Sequence, residues 1–212
     1  MRSILLASVL TFCLAGSTQA AGTAGVRLFV RHEVTDYSAW RKVYDEFGSM
    51  QKKLGVTAQA VYRSLDNPNE ITVTHDFKTA EAAQAFGASA ELKAAMEKSG
   101  VTGTPTVWIT TPAGGRSPEA RGVRLYVRHE VADFATWRMA YDAFDATRKK
   151  LGVTAQAVYR SVENPNDITV THDFKTVEAA KAFAASPELK ATMEKAGVTS
   201  APQIWFANRA AK

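Results

Sequence analysis

The chain repeats itself, and any fold proposed for it must be buildable twice. Residues 26–110 align without a gap on residues 123–207, with about 58 of 85 positions identical. The segment 52–64, KKLGVTAQAVYRS, recurs unchanged at 149–161, and 71–79, ITVTHDFKT, recurs at 168–176. Between the copies lie residues 111–122, TPAGGRSPEARG. Their Pro, Gly and polar composition reads as a flexible linker. A unit this small buries little surface by itself. A short tether holds two such units at roughly millimolar effective concentration. The repeat therefore predicts two like domains that pair within one chain, leaving further oligomerisation open.

Each copy alternates between strand and helix patterns. Residues 26–34 place Val26, Leu28, Val30 and His32 on one face and Arg27, Phe29, Arg31 and Glu33 on the other. Asp36 suits a helix N-cap, and Tyr37, Trp40, Tyr44 and Phe47 then follow at helical spacing until Gly55. A second strand over 57–64 turns at Asp66-Asn67-Pro68-Asn69 into a third over 70–77, which sets Ile71, Val73, His75 and Phe77 opposite Thr72, Thr74 and Asp76. Thr79 and Ser89 cap two short helices; Ser186-Pro187-Glu188 marks the restart most clearly in the second copy. Residues 105–110 and 202–207 supply a fourth strand. The order is βαββαβ, the ferredoxin-like α+β arrangement.

The first twenty residues differ from the rest. Arg2, the apolar run 4–14 and the small residues Gly16, Ser17, Thr18 and Ala20 form a signal-peptide pattern, with cleavage expected after Ala20. This predicts a periplasmic or secreted protein with no membrane span after processing. Cys13, the sole cysteine, lies in that leader, so a core rather than disulfides must hold the mature chain. The formal net charge of +5 is scattered, with no basic stripe carrying interleaved aromatics, which argues against a nucleic-acid partner.

His32-Glu33-Val34, Asp36-Tyr37, Trp40, Val61-Tyr62-Arg63, Asn67-Pro68-Asn69 and the ending Leu92, Met96, Gly100-Val101, Pro105 resemble bacterial domains of the dimeric α/β-barrel superfamily. The antibiotic-biosynthesis-monooxygenase-like branch is the nearest. That resemblance covers both repeats and implies two ferredoxin-like units packed sheet to sheet as a barrel, here from one chain. It also implies chemistry of the cofactor-independent monooxygenase kind on an aromatic or quinol compound, although fold alone does not assign function. The asparagine, tryptophan and histidine set of the haem-degrading branch has no counterpart here, and neither a metal-ligand spacing nor a nucleotide loop is present. No cofactor is expected.

His32 and His75, with His129 and His172 in the second copy, are the candidate catalytic residues. With the first and third strands taken as parallel neighbours, the two histidines of a copy sit near the C-terminal ends of both, under the helices. Trp40, Tyr44 and Phe47, with Trp137, Tyr141 and Phe144, then complete an apolar pocket with few polar groups, the usual make-up of a small-molecule site. An imidazole there is suited to take a proton from a phenol or enol. Structural hydrogen bonding by the histidines and core packing by the tryptophans are the competing readings, as are a non-catalytic ligand-binding or stress-related domain and, third, a haem-binding one. On the opposite face, Arg31 with Asp76 and Arg128 with Asp173 are expected ion pairs, a structural role favoured over binding of a substrate carboxylate by Arg31. Differences between the copies fall at positions read as helix surface, among them Lys42/Met139, Glu46/Ala143 and Gln51/Arg148.

Overall fold

A computed structural model describes residues 25–116 and 122–211. The expected signal peptide lies outside the described residues. The first repeat runs β1 (Val26–Val34), α1 (Tyr37–Glu46), α2 (Gly48–Lys53), β2 (Ala58–Ser64), β3 (Glu70–Phe77), α3 (Ala80–Gly87), α4 (Ala90–Lys98) and β4 (Val101–Arg116). The second runs β5 (Val123–Glu130), α5 (Phe134–Ala143), α6 (Asp145–Lys150), β6 (Ala155–Ser161), β7 (Asp167–Phe174), α7 (Val177–Ala184), α8 (Pro187–Lys195) and β8 (Gln203–Arg209). The duplicated βαββαβ order is as the sequence predicts.

Local chemistry explains the boundaries. Asp36, Thr79 and Ser89 each accept a hydrogen bond from the backbone N–H three residues on, and Asp133, Thr176 and Ser186 repeat this. Each cap satisfies a donor that a helix start otherwise leaves open. Gly55, at φ +96°, ends the first helical stretch. That stretch is interrupted at Phe47 rather than continuous. The same break recurs at Phe144, where Asp145 replaces Gly48, so it does not depend on the glycine.

Eight strands close into one barrel in the order β1-β3-β2-β8-β5-β7-β6-β4, with β4 returning to β1. Every pairing is antiparallel. This corrects the parallel placement of β1 and β3: Leu28 lies opposite His75, Val30 opposite Val73 and His32 opposite Ile71. The two repeats join along β2–β8 and along β4–β6. The second seam uses Thr110 to Arg116, so β4 extends into the segment read as linker. Full closure removes the exposed strand edges that each four-stranded sheet has alone.

The alternation of each strand splits its side chains between two cores. Outside the barrel, under the helices, Leu28, Val30, Trp40, Ile71, Val73, Phe77, Ala83 and Phe86 form the first repeat's core, and the second repeat has its counterpart. Inside, Phe29, Tyr62, Trp108, Tyr126, Tyr159 and Trp205 meet across the axis. Trp108 Nε1 donates to Thr169 Oγ1 and Trp205 Nε1 to Thr72 Oγ1, both at 3.0 Å, so each indole bridges to the other repeat. Inward-facing charges pair differently from expectation. Asp76 binds Arg27 and Glu70 binds Arg31; Asp173 binds Arg124 and Asp167 binds Arg128. The antiparallel register is the reason, since it sets Arg27, not Arg31, opposite Asp76.

Candidate functional site

Two equivalent cavities lie between the sheet and the helices, one per repeat. In the first, β1 and β3 supply the floor through Val30, His32, Val73 and His75, with the Val30–Val73 rung between the histidines. One wall comes from Trp40 and Tyr44 on α1, Phe47 at the break between the helices and Gln51 on α2, and the roof from Leu92, Ala95 and Met96 on α4. His129, Trp137, Tyr141, Phe144, Arg148 and His172 occupy the same places in the second. The structure thus brings together all ten residues that the sequence analysis selected, five around each cavity.

Aromatic packing fixes the side chains. Trp40 stacks on Tyr44 with centroids 4.8 Å apart and meets His32 at 5.7 Å, while His75 rests against Phe86 at 5.0 Å. The second repeat reproduces these contacts. The Tyr44 hydroxyl donates to Gln59 Oε1 at 2.9 Å and lies 3.2 Å from His75 Nε2. With its one proton directed to Gln59, the Tyr44 oxygen accepts from Nε2–H of His75, leaving Nδ1 as the acceptor nitrogen. Tyr141, Gln156 and His172 repeat the relay more loosely, at 2.8 and 3.5 Å.

Burial dominates the electrostatics. It lowers His32, His75 and His129 from 6.5 to about 4, and His172 to about 3 with help from Arg148 and His129. All four imidazoles are therefore neutral at pH 7. Burial also raises the Tyr44 and Tyr141 hydroxyls well above their ordinary value. Both ring nitrogens of His32 and of His129, and Nδ1 of His75 and of His172, are buried without a hydrogen-bond partner among the described residues. Buried polar atoms are rarely left so. The Nε2 contacts of His75 and His172 with the tyrosine hydroxyls leave Nδ1 of each open, and His32 and His129 make no side-chain hydrogen bond to any described residue.

Each cavity is small, about 40 Å³. That is space for about one water, against the several hundred cubic ångströms of a typical ligand pocket. The cover is thin, however. Neither α4 nor α8 has a fully buried residue, and Leu92 and Met96 separate the inner cavity from an outer groove of about 450 Å³. Leu189 and Met193 do the same in the second repeat.

Gln51 and Arg148 were read as helix surface, and this is corrected: each is only 1% exposed and lines its cavity. The signal was present, because 40, 44, 47 and 51 continue one helical stripe. Lys42, Glu46 and Ala143 are exposed as expected, and so is Met139. Tyr62 and Tyr159 face the barrel interior, whereas Arg63 points outward onto the Tyr37 ring. A larger cavity of about 670 Å³ opens at the barrel mouth beside Arg27, Asp76, Tyr62, Tyr159 and Arg124. Arg27 and Arg124 there are already engaged with carboxylates and tyrosine hydroxyls. No grouping of histidine, cysteine and carboxylates suited to a metal occurs among the described residues, and no described helix is long and apolar enough to cross a membrane.

Comparison with known proteins agrees with this fold. Residues 21–98 match the sequence model of the antibiotic biosynthesis monooxygenase family. No protein of curated function matches the sequence. Among solved structures, an anthrone oxidase-like protein aligns over 89% of this chain and 92% of its own at 14% identity, with a TM-score of 0.63. A candidate monooxygenase from Lactobacillus acidophilus aligns over 88% and 94% at 15% identity and a TM-score of 0.59. A ferredoxin-fold protein from Listeria monocytogenes, related to antibiotic biosynthesis monooxygenases, aligns over 89% and 96% at 6% identity and 0.54. At such identities the structural likeness speaks for the fold. Residues 21–98 thus carry an antibiotic biosynthesis monooxygenase domain, and the second repeat is its duplicate, closed with it into one barrel.

Proposed function

We propose that the chain is an exported, small-molecule-binding barrel that oxygenates an activated aromatic or quinol compound without a cofactor, using the cavities at His32/His75 and His129/His172. The observation that carries this reading is the set of buried, neutral imidazole nitrogens without partners inside an aromatic shell. A substrate hydroxyl placed there gains the hydrogen bond that the protein leaves unmade. His32 or His129 takes the proton of the phenol, enol or benzylic carbon, and His75 or His172 orients the oxygen.

The low basicity of these groups does not oppose the step. Burial disfavours an isolated imidazolium, but proton transfer creates the enolate beside it, and the pair is neutral as a whole. For a doubly activated methylene, the carbanion reacts with dioxygen, one oxygen becomes the carbonyl and the other leaves as water. The balance is R2CH2 + O2 → R2C=O + H2O, with the substrate supplying all electrons. Swinging out Leu92 and Met96 on α4 admits the substrate from the outer groove.

Oxygen uptake by the purified protein with a panel of quinols and anthrone-type compounds tests the reading. Turnover is expected, and a His32→Ala/His129→Ala protein that turns over at the wild-type rate removes the base assignment. The same unpartnered nitrogens and aromatic shell also suit a second reading, a non-catalytic carrier. It predicts saturable quenching of Trp40 and Trp137 fluorescence with no oxygen consumed.

A further inference from the structure

The second cavity holds a charge that the first lacks. At the position where α2 presents Gln51 to one cavity, α6 presents Arg148 to the other, and each is 1% exposed. The guanidinium of Arg148 stacks on the Tyr141 ring, 3.8 Å from its centroid, and Nη1 donates to the Tyr141 carbonyl oxygen. Its Nη2 reaches Asp145 Oδ1 at 3.1 Å, and that carboxylate is 39% exposed and also binds Lys149 at 2.7 Å. Arg148 Nε is buried without an acceptor among the described residues. In the first cavity the mismatch has the opposite sense, because Gln51 Oε1 is buried without a donor.

The change is paired. Asp145 stands where the first repeat has Gly48, so the second copy carries an arginine and its outer counter-charge together. Among the described residues no carboxylate lines the second cavity itself; its other polar groups are His129, His172, the Trp137 indole, the Tyr141 hydroxyl and Thr192. Asp145 thus offsets the charge from a partly exposed position, while the Nε–H of this cavity-lining arginine stays buried with no acceptor among the described residues. A buried charged donor without an acceptor is costly, and an anionic oxygen satisfies it best.

We propose that the two cavities have diverged in ligand charge: the second takes an anionic oxygen compound (carboxylate, phenolate or enolate) on Arg148, and the first takes a neutral hydroxyl compound on Gln51. This rests on the reading of both cavities as ligand sites.

Calorimetric titration of the full chain with 1-naphthoate and with 1-naphthol separates the two ideas. The expected result is one naphthoate site per chain. Arg148→Gln, which installs the residue already tolerated at this place in the other repeat, weakens naphthoate by about tenfold or more while leaving 1-naphthol within about twofold. Gln51→Arg creates a second naphthoate site, a gain that no loss of stability can imitate. Equal naphthoate affinity in wild type and Arg148→Gln overturns the divergence, as does 1-naphthol binding with no naphthoate binding; both leave the cavities standing as ligand sites. Failure of both probes to bind overturns the divergence and the ligand-site reading together.

Discussion

Arg124 and Tyr62 meet across the seam between the repeats: the Nη1 of Arg124 donates to the Tyr62 hydroxyl at 2.6 Å. The pseudo-symmetric pair, Arg27 and Tyr159, has the same length. Their surroundings differ. The Arg124 side chain is 2% exposed and Arg27 is 23% exposed.

That asymmetry predicts unequal costs. Tyr62→Phe removes one hydrogen bond of a fully buried guanidinium and should cost about 1–3 kcal/mol. Tyr159→Phe leaves a group that water can reach, and should cost about 1 kcal/mol or less. Guanidinium denaturation of the two variants checks this. Equal losses would show that the interior is wetted at both places.

The same pairing predicts what one repeat does alone. Residues that bridge the repeats are identical in both copies: Arg27 and Arg124, Tyr62 and Tyr159, Thr72 and Thr169, Trp108 and Trp205. A chain ending at Arg116 therefore holds both halves of every bridge and two open strand edges. It should form a homodimer that rebuilds the barrel. Light scattering at tens of micromolar should return about twice the chain mass; a stable monomer would refute the closure argument.

Much of this arrangement was legible in the sequence. The alternation of residues 26–34 and 70–77 placed His32 and His75 under the helices, and Asp36, Thr79 and Ser89 announced their helices through capping chemistry. The direction of β3 was implicit as well. The tight turn at Asp66–Asn69 reverses the chain, so β3 runs opposite to β2, and the α1–α2 crossover makes β2 parallel to β1. Hence β3 opposes both, and Asp76 falls to Arg27. Two features were harder to see. Pro112, Gly114 and Gly115 carry the composition of a linker, and only the presence of β6 makes them a strand. Gln51 and Arg148 are polar residues on an apolar stripe, and polarity outweighed spacing.

Gly115 gives that seam a sharp test. It has φ +72°, and a Cβ there would sit 2.4 Å from the Gln156 carbonyl oxygen. Gly103 has a similar φ of +65° with nothing within 4 Å. Gly103→Ala should therefore cost only the left-handed backbone penalty, about 1–2 kcal/mol. Gly115→Ala should cost more, because it also pushes β4 off β6. Melting temperatures of the two variants decide the matter, and a loss no larger at Gly115 than at Gly103 would mean that the seam there yields freely.

The four histidines make stability depend on pH in a defined direction. Their ordinary pKa is 6.5, and burial holds His32, His75 and His129 at about 4 and His172 at about 3 in the folded chain. Between these values the unfolded chain binds more protons than the folded one, so proton uptake favours unfolding. The stability is complete above about pH 6.5 and is withdrawn as the pH falls toward 4, by up to about 1.4 kcal/mol per pH unit for each histidine. Asp133 and Asp145 do not blur the window, since hydrogen bonds hold both below 3.8. Denaturation midpoints should therefore fall steeply from neutral pH to about pH 5, and His172→Gln should make that fall shallower. A midpoint that stays constant over this range would mean that the imidazoles are hydrated or paired in the folded protein, and the open nitrogens on which ligand binding depends would not exist.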